Sequence, residues 1–218
     1  MREARGLGRR SSKLEMLWWG SVMQTEQLYY SPEEYLELEV ASGDRHEYID
    51  GQIILMTGGL PNHNQIAGNF YATLNFALRR KSYQAFMTDQ RLWIPQRRIY
   101  TYPDVMAVAS PLELQEGRKD TLTNPILIAE VLSKSTQSYD RGGKFAAYRT
   151  IPSVQEYILI DQHSVQVNQY IKKESNEWVF RAYEAESDVL ALASVPCEIS
   201  LADLYDKVEF SDDDASEP

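Results

Sequence analysis

One apolar run, PILIAEVL at residues 125–132, constrains the fold of this chain more than any other segment. Its near-continuous Ile, Leu and Val content is typical of a central strand buried on both faces of a sheet. A helix is predicted at about residues 139–149, and a second apolar run, EYILID, follows at residues 156–161. Together these segments predict a βαβ unit with a right-handed crossover, and therefore an α/β fold.

The flanking sequence adds further elements to this unit. A Ser cap followed by Pro32 predicts a short helix ending near Glu39, and alternation around Asp50 and Gly51 predicts a β-hairpin. The strand that bears Asp104 is expected beside the preceding strand as an antiparallel neighbour. The predicted ranges are the hairpin at 46–56, a long helix at 62–81, strands at 84–94 and 102–108, a basic connection at 95–100, a polar loop at 110–124, an edge meander at 164–171, 177–184 and 188–192, and a short helix at 200–205.

The length of 218 residues is that expected of one domain with a single core. We expect residues 25–210 to form this domain and residues 211–218 to be an acidic tail. Residues 1–24 are expected to be a disordered tail or an extension from an upstream start, with Met23 as the natural first residue. No apolar run approaches the roughly 20 residues of a membrane span, so no membrane partner is expected. The single Cys197 fits the reducing cytoplasm, where we expect the protein.

The net charge of −10 would by itself argue against nucleic acid, since phosphate binding depends on Lys and Arg. The charge is unevenly distributed, however. Residues 61–150 contain 12 Lys and Arg against 7 Asp and Glu. This basic section encloses the polar residues discussed next, although a solvated surface would also explain any one of its clusters.

Two carboxylates lie at or within strand-like runs. Asp104 follows Pro103 in YPDVMAV, and Glu130 interrupts the apolar run described above. A buried carboxylate is costly unless it is paired or binds a cation. Two that converge at one sheet would suit Mg²⁺ or Mn²⁺, and Lys144 on the following helix could stabilise charge or orient a water.

Simpler interpretations stay open for these side chains. Asp104 could cap a turn after Pro103, and the spacing of Asp140 and Lys144 is common on exposed helices. His63, in the first turn of the predicted long helix, could reach a site or face water. Spacing alone therefore does not decide whether the carboxylates bind a metal.

The ordered set of motifs resembles a bacterial family of restriction-endonuclease-like proteins within the PD-(D/E)XK nuclease superfamily. The set comprises YPDVMAV, ILIAEVLSKST, the spacing of Asp140, Lys144 and Tyr148, and EYILID, and it covers roughly residues 28–170. The resemblance implies a restriction-endonuclease-like mixed central sheet flanked by helices, here with a C-terminal β-meander.

The resemblance also implies a role for each acidic residue. Asp104 corresponds to the PD aspartate, Glu130 to the acidic residue of the (D/E)XK element, and Glu47 to an additional upstream acid of the family. The superfamily lysine would fall at position 132, where this chain has Leu132. In this family the lysine is thought to have moved to the next helix, which points to Lys144.

The implied function is a Mg²⁺- or Mn²⁺-dependent endonuclease that hydrolyses DNA, with Asp104 and Glu130 as metal ligands. Lys134 is the other contender for the functional lysine, and it joins Arg97 and Arg98 as a candidate DNA contact. A homodimer would suit the cleavage of both strands of a duplex. The alternative, favoured by the acidic net charge and the displaced lysine, is a catalytically inactive module on the same fold that binds nucleic acid or protein.

Overall fold

The apolar run around Glu130 forms the centre of the main sheet in the computed structural model, which describes residues 28–133 and 137–210. The strands are β1 (His46–Ile49), β2 (Gln52–Leu55), β3 (Tyr83–Met87), β4 (Arg91–Ile94), β5 (Ile99–Thr101), β6 (Val105–Ala109), β7 (Thr121–Leu122), β8 (Pro125–Leu132), β9 (Glu156–Asp161), β10 (Val167–Glu174), β11 (Glu177–Tyr183), β12 (Val189–Ala191) and β13 (Glu198–Ser200). The helices are α1 (Pro32–Ala41), α2 (Pro61–Ala77), α3 (Gln137–Tyr139), α4 (Phe145–Tyr148) and α5 (Leu201–Leu204), and a π-helical stretch (Asp140–Lys144) joins α3 to α4.

The main sheet has six strands in the order β11-β10-β9-β8-β6-β3. Strands β8 and β9 pair in parallel, as the predicted βαβ unit requires, and all other pairs in this sheet are antiparallel. Helix α2 covers one face through Ile66, Phe70 and Leu74. The segment from α3 to α4 covers the other face, where Tyr148 packs in the core beside β8 and β9. The sheet is therefore mixed and flanked by helices, as predicted.

A second sheet, ordered β2-β1-β5-β4-β7, carries Glu47 on β1. The predicted hairpin is confirmed, because Asp50 and Gly51 have φ values of 42° and 100°, as a tight turn between β1 and β2 requires. Helix α1 packs its Tyr35 ring against Tyr48 and Tyr100, with ring centroids 5.3 and 5.1 Å apart. This aromatic cluster fixes β1 and β5 side by side, so that Glu47 lies opposite the end of β5.

Four of the predicted elements were wrong in part. The run at 84–94 is two strands, because the chain turns at Thr88, whose φ is 40°, and β3 joins the main sheet while β4 joins the second. The long helix ends at Ala77 rather than at residue 81. The run at 188–192 supplies β12, which pairs with β13 in a separate two-stranded sheet rather than extending the meander. The loop at 110–124 contains the short strand β7.

The helix predicted at 139–149 is present, but its first half is π-helical. Gly142 and Gly143 lie within this stretch. A Cβ atom at Gly143 would lie 2.5 Å from the ring of Tyr139, so a glycine is needed there for the ring to approach. The expected tails at 1–24 and 211–218, and Lys134, lie outside the described residues. None of the helices in the described ranges is long and apolar enough to cross a membrane.

Candidate active site

Asp104 and Glu130 meet where two neighbouring strands run side by side. Asp104 immediately precedes β6, and β6 pairs with β8, the strand that carries Glu130. The amide of Asp104 donates a hydrogen bond to Oε2 of Glu130 at 3.2 Å, and the amide of Val131 donates to Oδ2 of Asp104 at 2.8 Å. The prediction that these carboxylates converge is confirmed, while their role as metal ligands stays a prediction.

Lys144 lies at the centre of three carboxylates. Its Nζ atom is 3.2 Å from Oε1 of Glu130, 3.3 Å from Oδ1 of Asp140 and 3.5 Å from Oε1 of Glu47. The Lys144 side chain is only 14% exposed. The Asp140–Lys144 pair is therefore not the exposed helical pair that its spacing would also allow. It is part of a buried cluster to which the second sheet contributes Glu47.

Two hydroxyl groups orient these carboxylates. The hydroxyl of Tyr148 donates to Oε1 of Glu130 at 2.6 Å, and the hydroxyl of Thr101 donates to Oε1 of Glu47 at 2.5 Å. Tyr148 follows Lys144 by one helical turn, which brings both residues to the same carboxylate. The sequence motif included Tyr148 without giving it a role, and nothing in the sequence singled out Thr101.

His63 reaches the site rather than facing water. Its Nε2 atom lies 3.2 Å from Oδ2 of Asp104. Burial lowers the pKa of His63, but the hydrogen bond and negative charge of Asp104 more than offset this and raise it above its usual value. Burial would likewise raise the pKa of Asp104, yet His63 and the Val131 amide hold it below its usual value. His63 and Asp104 therefore favour each other's charged forms.

Burial and neighbouring charges shift the ionisation of the remaining cluster. Burial raises the pKa of Glu130 to about 8; Lys144 offsets part of this rise, and the charges of Asp104 and Asp140 add to it. Burial alone would lower the pKa of Lys144, but the attraction of Glu130, Glu47 and Asp140 raises it well above its usual value. The pKa values of both Glu130 and Lys144 are therefore raised. The Tyr148 hydroxyl, the Asp104 amide and the Lys144 ammonium all offer hydrogen-bond donors to Glu130, which suits its carboxylate form.

Replacing Glu130 with glutamine should make the stability of the metal-free protein less dependent on pH. The raised pKa means that the contribution of Glu130 to stability is fully present below its ordinary value of 4.5 and is lost as the pH rises through about 8. Glutamine removes this titration and keeps an acceptor for Tyr148, although its amide nitrogen cannot accept from the Asp104 amide. The free energy of unfolding of the variant should therefore fall less than that of the wild type between about pH 5 and about pH 8. Urea unfolding in EDTA at about pH 5 and about pH 8 measures the difference. An identical pH dependence in the two proteins would contradict the raised pKa.

The composition of the cluster fits a divalent cation. Four carboxylates, those of Glu47, Asp104, Glu130 and Asp140, are balanced by one lysine and one histidine. In residues 28–133 and 137–210, no set of three or more His, Cys, Asp or Glu side chains is arranged to hold a metal ion. Mg²⁺, however, is commonly bound by one or two carboxylates, with waters and substrate oxygens completing its shell. The adjacent carboxylates of Asp104 and Glu130 fit that requirement.

The candidate DNA contacts Arg97 and Arg98 lie away from this cluster, on the connection between β4 and β5. Arg97 is exposed, whereas Arg98 pairs with Asp50, with its Nε atom 3.2 Å from Oδ1, and donates to the hydroxyl of Tyr48 at 3.3 Å. Arg98 precedes Thr101 by three residues, which is about 10 Å along an extended strand. The structure does not bring these arginines to the carboxylates, and DNA contact by either one stays a prediction.

Comparisons with known proteins agree with this architecture. The sequence profile of the Uma2 family, described as "Putative restriction endonuclease", matches residues 32–203. Two uncharacterized proteins of Synechocystis, sll1609 and slr1290, are 39% and 37% identical over 154 and 182 residues; the alignments cover 71% and 83% of this chain and 87% and 93% of theirs.

A solved structure shares the fold. It is the crystal structure of "a putative nuclease belonging to DUF820" from Anabaena variabilis, with a TM-score of 0.67 at 20% identity. The similarity covers 81% of this chain and 98% of that one. The family profile and the shared fold confirm the predicted restriction-endonuclease-like α/β class.

Proposed function

Because this chain belongs to the Uma2 family of restriction-endonuclease-like proteins, we propose that it is a Mg²⁺- or Mn²⁺-dependent endonuclease that hydrolyses DNA phosphodiester bonds. One observation carries the proposal. Asp104 and Glu130 are linked through each other's backbone on adjacent strands, and a buried Lys144 lies 3.2 Å from Glu130. A carboxylate pair with a lysine beside it is suited to metal-assisted attack on a phosphate.

Asp104 and Glu130 would hold the metal in this proposal. When bound, it would supply Lewis-acid stabilisation of the phosphate and lower the pKa of a water. Both ligands must be ionised to bind it, and because the pKa of Glu130 is raised, metal binding should strengthen as the pH rises. Tyr148 then keeps the carboxylate of Glu130 oriented through its hydrogen bond to Oε1.

Lys144 supplies the positive charge of the site. Its raised pKa keeps the ammonium charged at neutral pH, and Glu47 and Asp140 hold it in place beside Glu130. An ammonium in this position can stabilise negative charge on a phosphate or orient the attacking water. Leu132, at the position of the superfamily lysine, is buried in the apolar core. In this proposal Lys144, on the helix, provides the positive charge that Leu132, on the strand, cannot provide.

A plasmid nicking assay tests this function. Wild-type protein incubated with supercoiled plasmid should convert it to the nicked or linear form in Mg²⁺ or Mn²⁺, and EDTA should stop the conversion because the carboxylate pair acts through the metal. Cleavage that continues in EDTA would contradict the proposed mechanism. No cleavage with either metal, combined with retained DNA binding, would instead support a catalytically inactive nucleic-acid-binding protein.

A further inference from the structure

Four aromatic rings lie together on the face of the main sheet that carries Glu130. They belong to Phe145, Tyr170, Trp178 and Phe180, and we name this group the aromatic platform. The Phe145 ring is 4.6 Å from Tyr170 and 5.3 Å from Trp178, and the Tyr170 ring is 5.3 Å from Phe180, measured between centroids. Tyr170 and Phe180 are direct cross-strand partners on β10 and β11, so their rings project from the same face.

The platform opens to solvent at the edge of the sheet. Phe180 is 54% exposed, and the other three rings are half-buried. Strand β11 is an edge strand of the main sheet. An isolated exposed ring is common on protein surfaces, whereas the Phe180 ring extends a group of rings that contact one another. The open side of the platform is therefore a candidate for stacking.

The platform is continuous with the candidate active site. Phe145 directly follows Lys144 in the chain. From Tyr148, which holds Glu130, successive ring contacts of 5.4, 6.3 and 5.3 Å lead through Tyr157 and Tyr170 to Phe180. Tyr148 and Tyr157 are buried, so these ring contacts run through the core. At the surface the platform meets the site at Phe145, the residue after Lys144 on the segment that covers this face.

Positive charge accompanies these rings. The guanidinium of Arg149 lies 5.0 Å from the centre of the Phe145 ring, and Lys172 is the cross-strand partner of Trp178. In the described part of the chain, neither cation has a carboxylate within ion-pair distance; Lys172 donates only to the carbonyl of Pro152. Elsewhere in the described residues, Arg45, Arg98 and Arg118 pair with aspartates. Arg149 and Lys172 are thus free to meet a phosphate backbone.

We propose that the aromatic platform binds unpaired bases, so that the substrate of this site is DNA with a single-stranded segment next to the scissile phosphate. This proposal rests on the proposed nuclease function. Rings that stack with successive bases, beside cations that contact the backbone, are the general means by which proteins bind single strands without reading their sequence. The opposite pattern, hydrogen-bonding groups presented to a duplex groove, would be needed for sequence-specific duplex recognition.

Substitution of Phe180 tests the platform through binding alone. The probe is a fluorescein-labelled oligothymidylate of about 20 nucleotides, followed by anisotropy in EDTA so that metal-dependent cleavage does not enter the measurement. Phe180→Ala should weaken binding roughly 5- to 150-fold, the range expected for the loss of one stacked base, and Phe180→Trp should restore it. Quenching of Trp178 fluorescence by the oligonucleotide should disappear in Trp178→Phe.

A matched control is available on helix α2. Phe76 is 72% exposed and has the guanidinium of Arg79 5.7 Å from its ring, so it has the same chemistry outside the platform. Phe76→Ala should leave binding unchanged. Equal losses of oligonucleotide affinity in both variants, or no loss in Phe180→Ala, would overturn the proposal. It would also be overturned if the wild type were a dimer that Phe180→Ala converts to a monomer with unchanged oligonucleotide binding. None of these outcomes bears on plasmid cleavage, so failure of the platform and failure of the nuclease function are distinguishable.

Discussion

Lys144→Met is expected to cost about 3–5 kcal/mol of folding free energy near pH 8, a large share of the stability of a domain this size. Three carboxylates face the Lys144 ammonium at 3.2 to 3.5 Å, and methionine would leave them buried without a compensating charge. Lys144 is charged throughout the range between pH 5 and 9 because its pKa is raised. The pH dependence of the loss therefore comes from the carboxylates, and it should shrink near pH 5, where Glu130 is protonated in both proteins.

Urea unfolding at about pH 5 and about pH 8 measures this loss. Lys207→Met is the control, because Lys207 is 78% exposed and its stability change should lie within about 0.5 kcal/mol of zero. Adding Glu130→Gln to Lys144→Met should recover part of the loss, since it removes one of the stranded carboxylates. A loss below about 1 kcal/mol at pH 8 would mean that the cluster does not depend on this lysine.

Asp104→Asn should reduce metal-dependent DNA cleavage by on the order of a thousandfold or more while the protein stays folded. Asparagine keeps an oxygen that can accept from the Val131 amide, so the local structure should survive, but it removes the charge that a divalent cation requires. Initial rates of plasmid nicking in Mg²⁺ measure the effect, with circular dichroism to show that the variant is folded.

Asp89→Asn provides the comparison for Asp104→Asn. Asp89 is an aspartate with an 80% exposed side chain that lies 3.5 Å from Arg45, and its loss should leave the cleavage rate unchanged. A folded Asp104→Asn protein that cleaves at the wild-type rate would show that the chemistry takes place elsewhere.

The convergence of Asp104 and Glu130 could be predicted because it depends only on two apolar strands lying side by side. The spacing of the apolar residues predicts the strands, and the βαβ unit predicts where the helix that carries Lys144 lies. The hairpin that presents Glu47 was also readable, since Asp50 and Gly51 favour a tight turn. These features follow from short-range sequence patterns, which can be recognised without knowledge of the tertiary contacts.

The side chains that contact these carboxylates could not be predicted in the same way. Thr101 reaches Glu47 across the second sheet, and His63 reaches Asp104 from the first turn of α2, so both contacts depend on tertiary packing. Asp140 and Lys144 have the spacing of an exposed helical pair, and the sequence does not reveal that both side chains are turned inwards while the residues between them are exposed. The division of residues 84–94 between two sheets depends on a turn at Thr88, a residue type that does not favour positive φ.

The most direct test of whether the carboxylate pair is a metal site is calorimetric titration of Mn²⁺ into the wild type and Asp104→Asn. The titration is carried out at about pH 8, where the raised pKa of Glu130 allows its ionisation. The predicted result is one Mn²⁺ bound per wild-type chain, binding weakened at least tenfold in Asp104→Asn, and wild-type binding in Asp89→Asn. Equal binding by all three proteins, or no binding by the wild type, would contradict a metal site at Asp104 and Glu130.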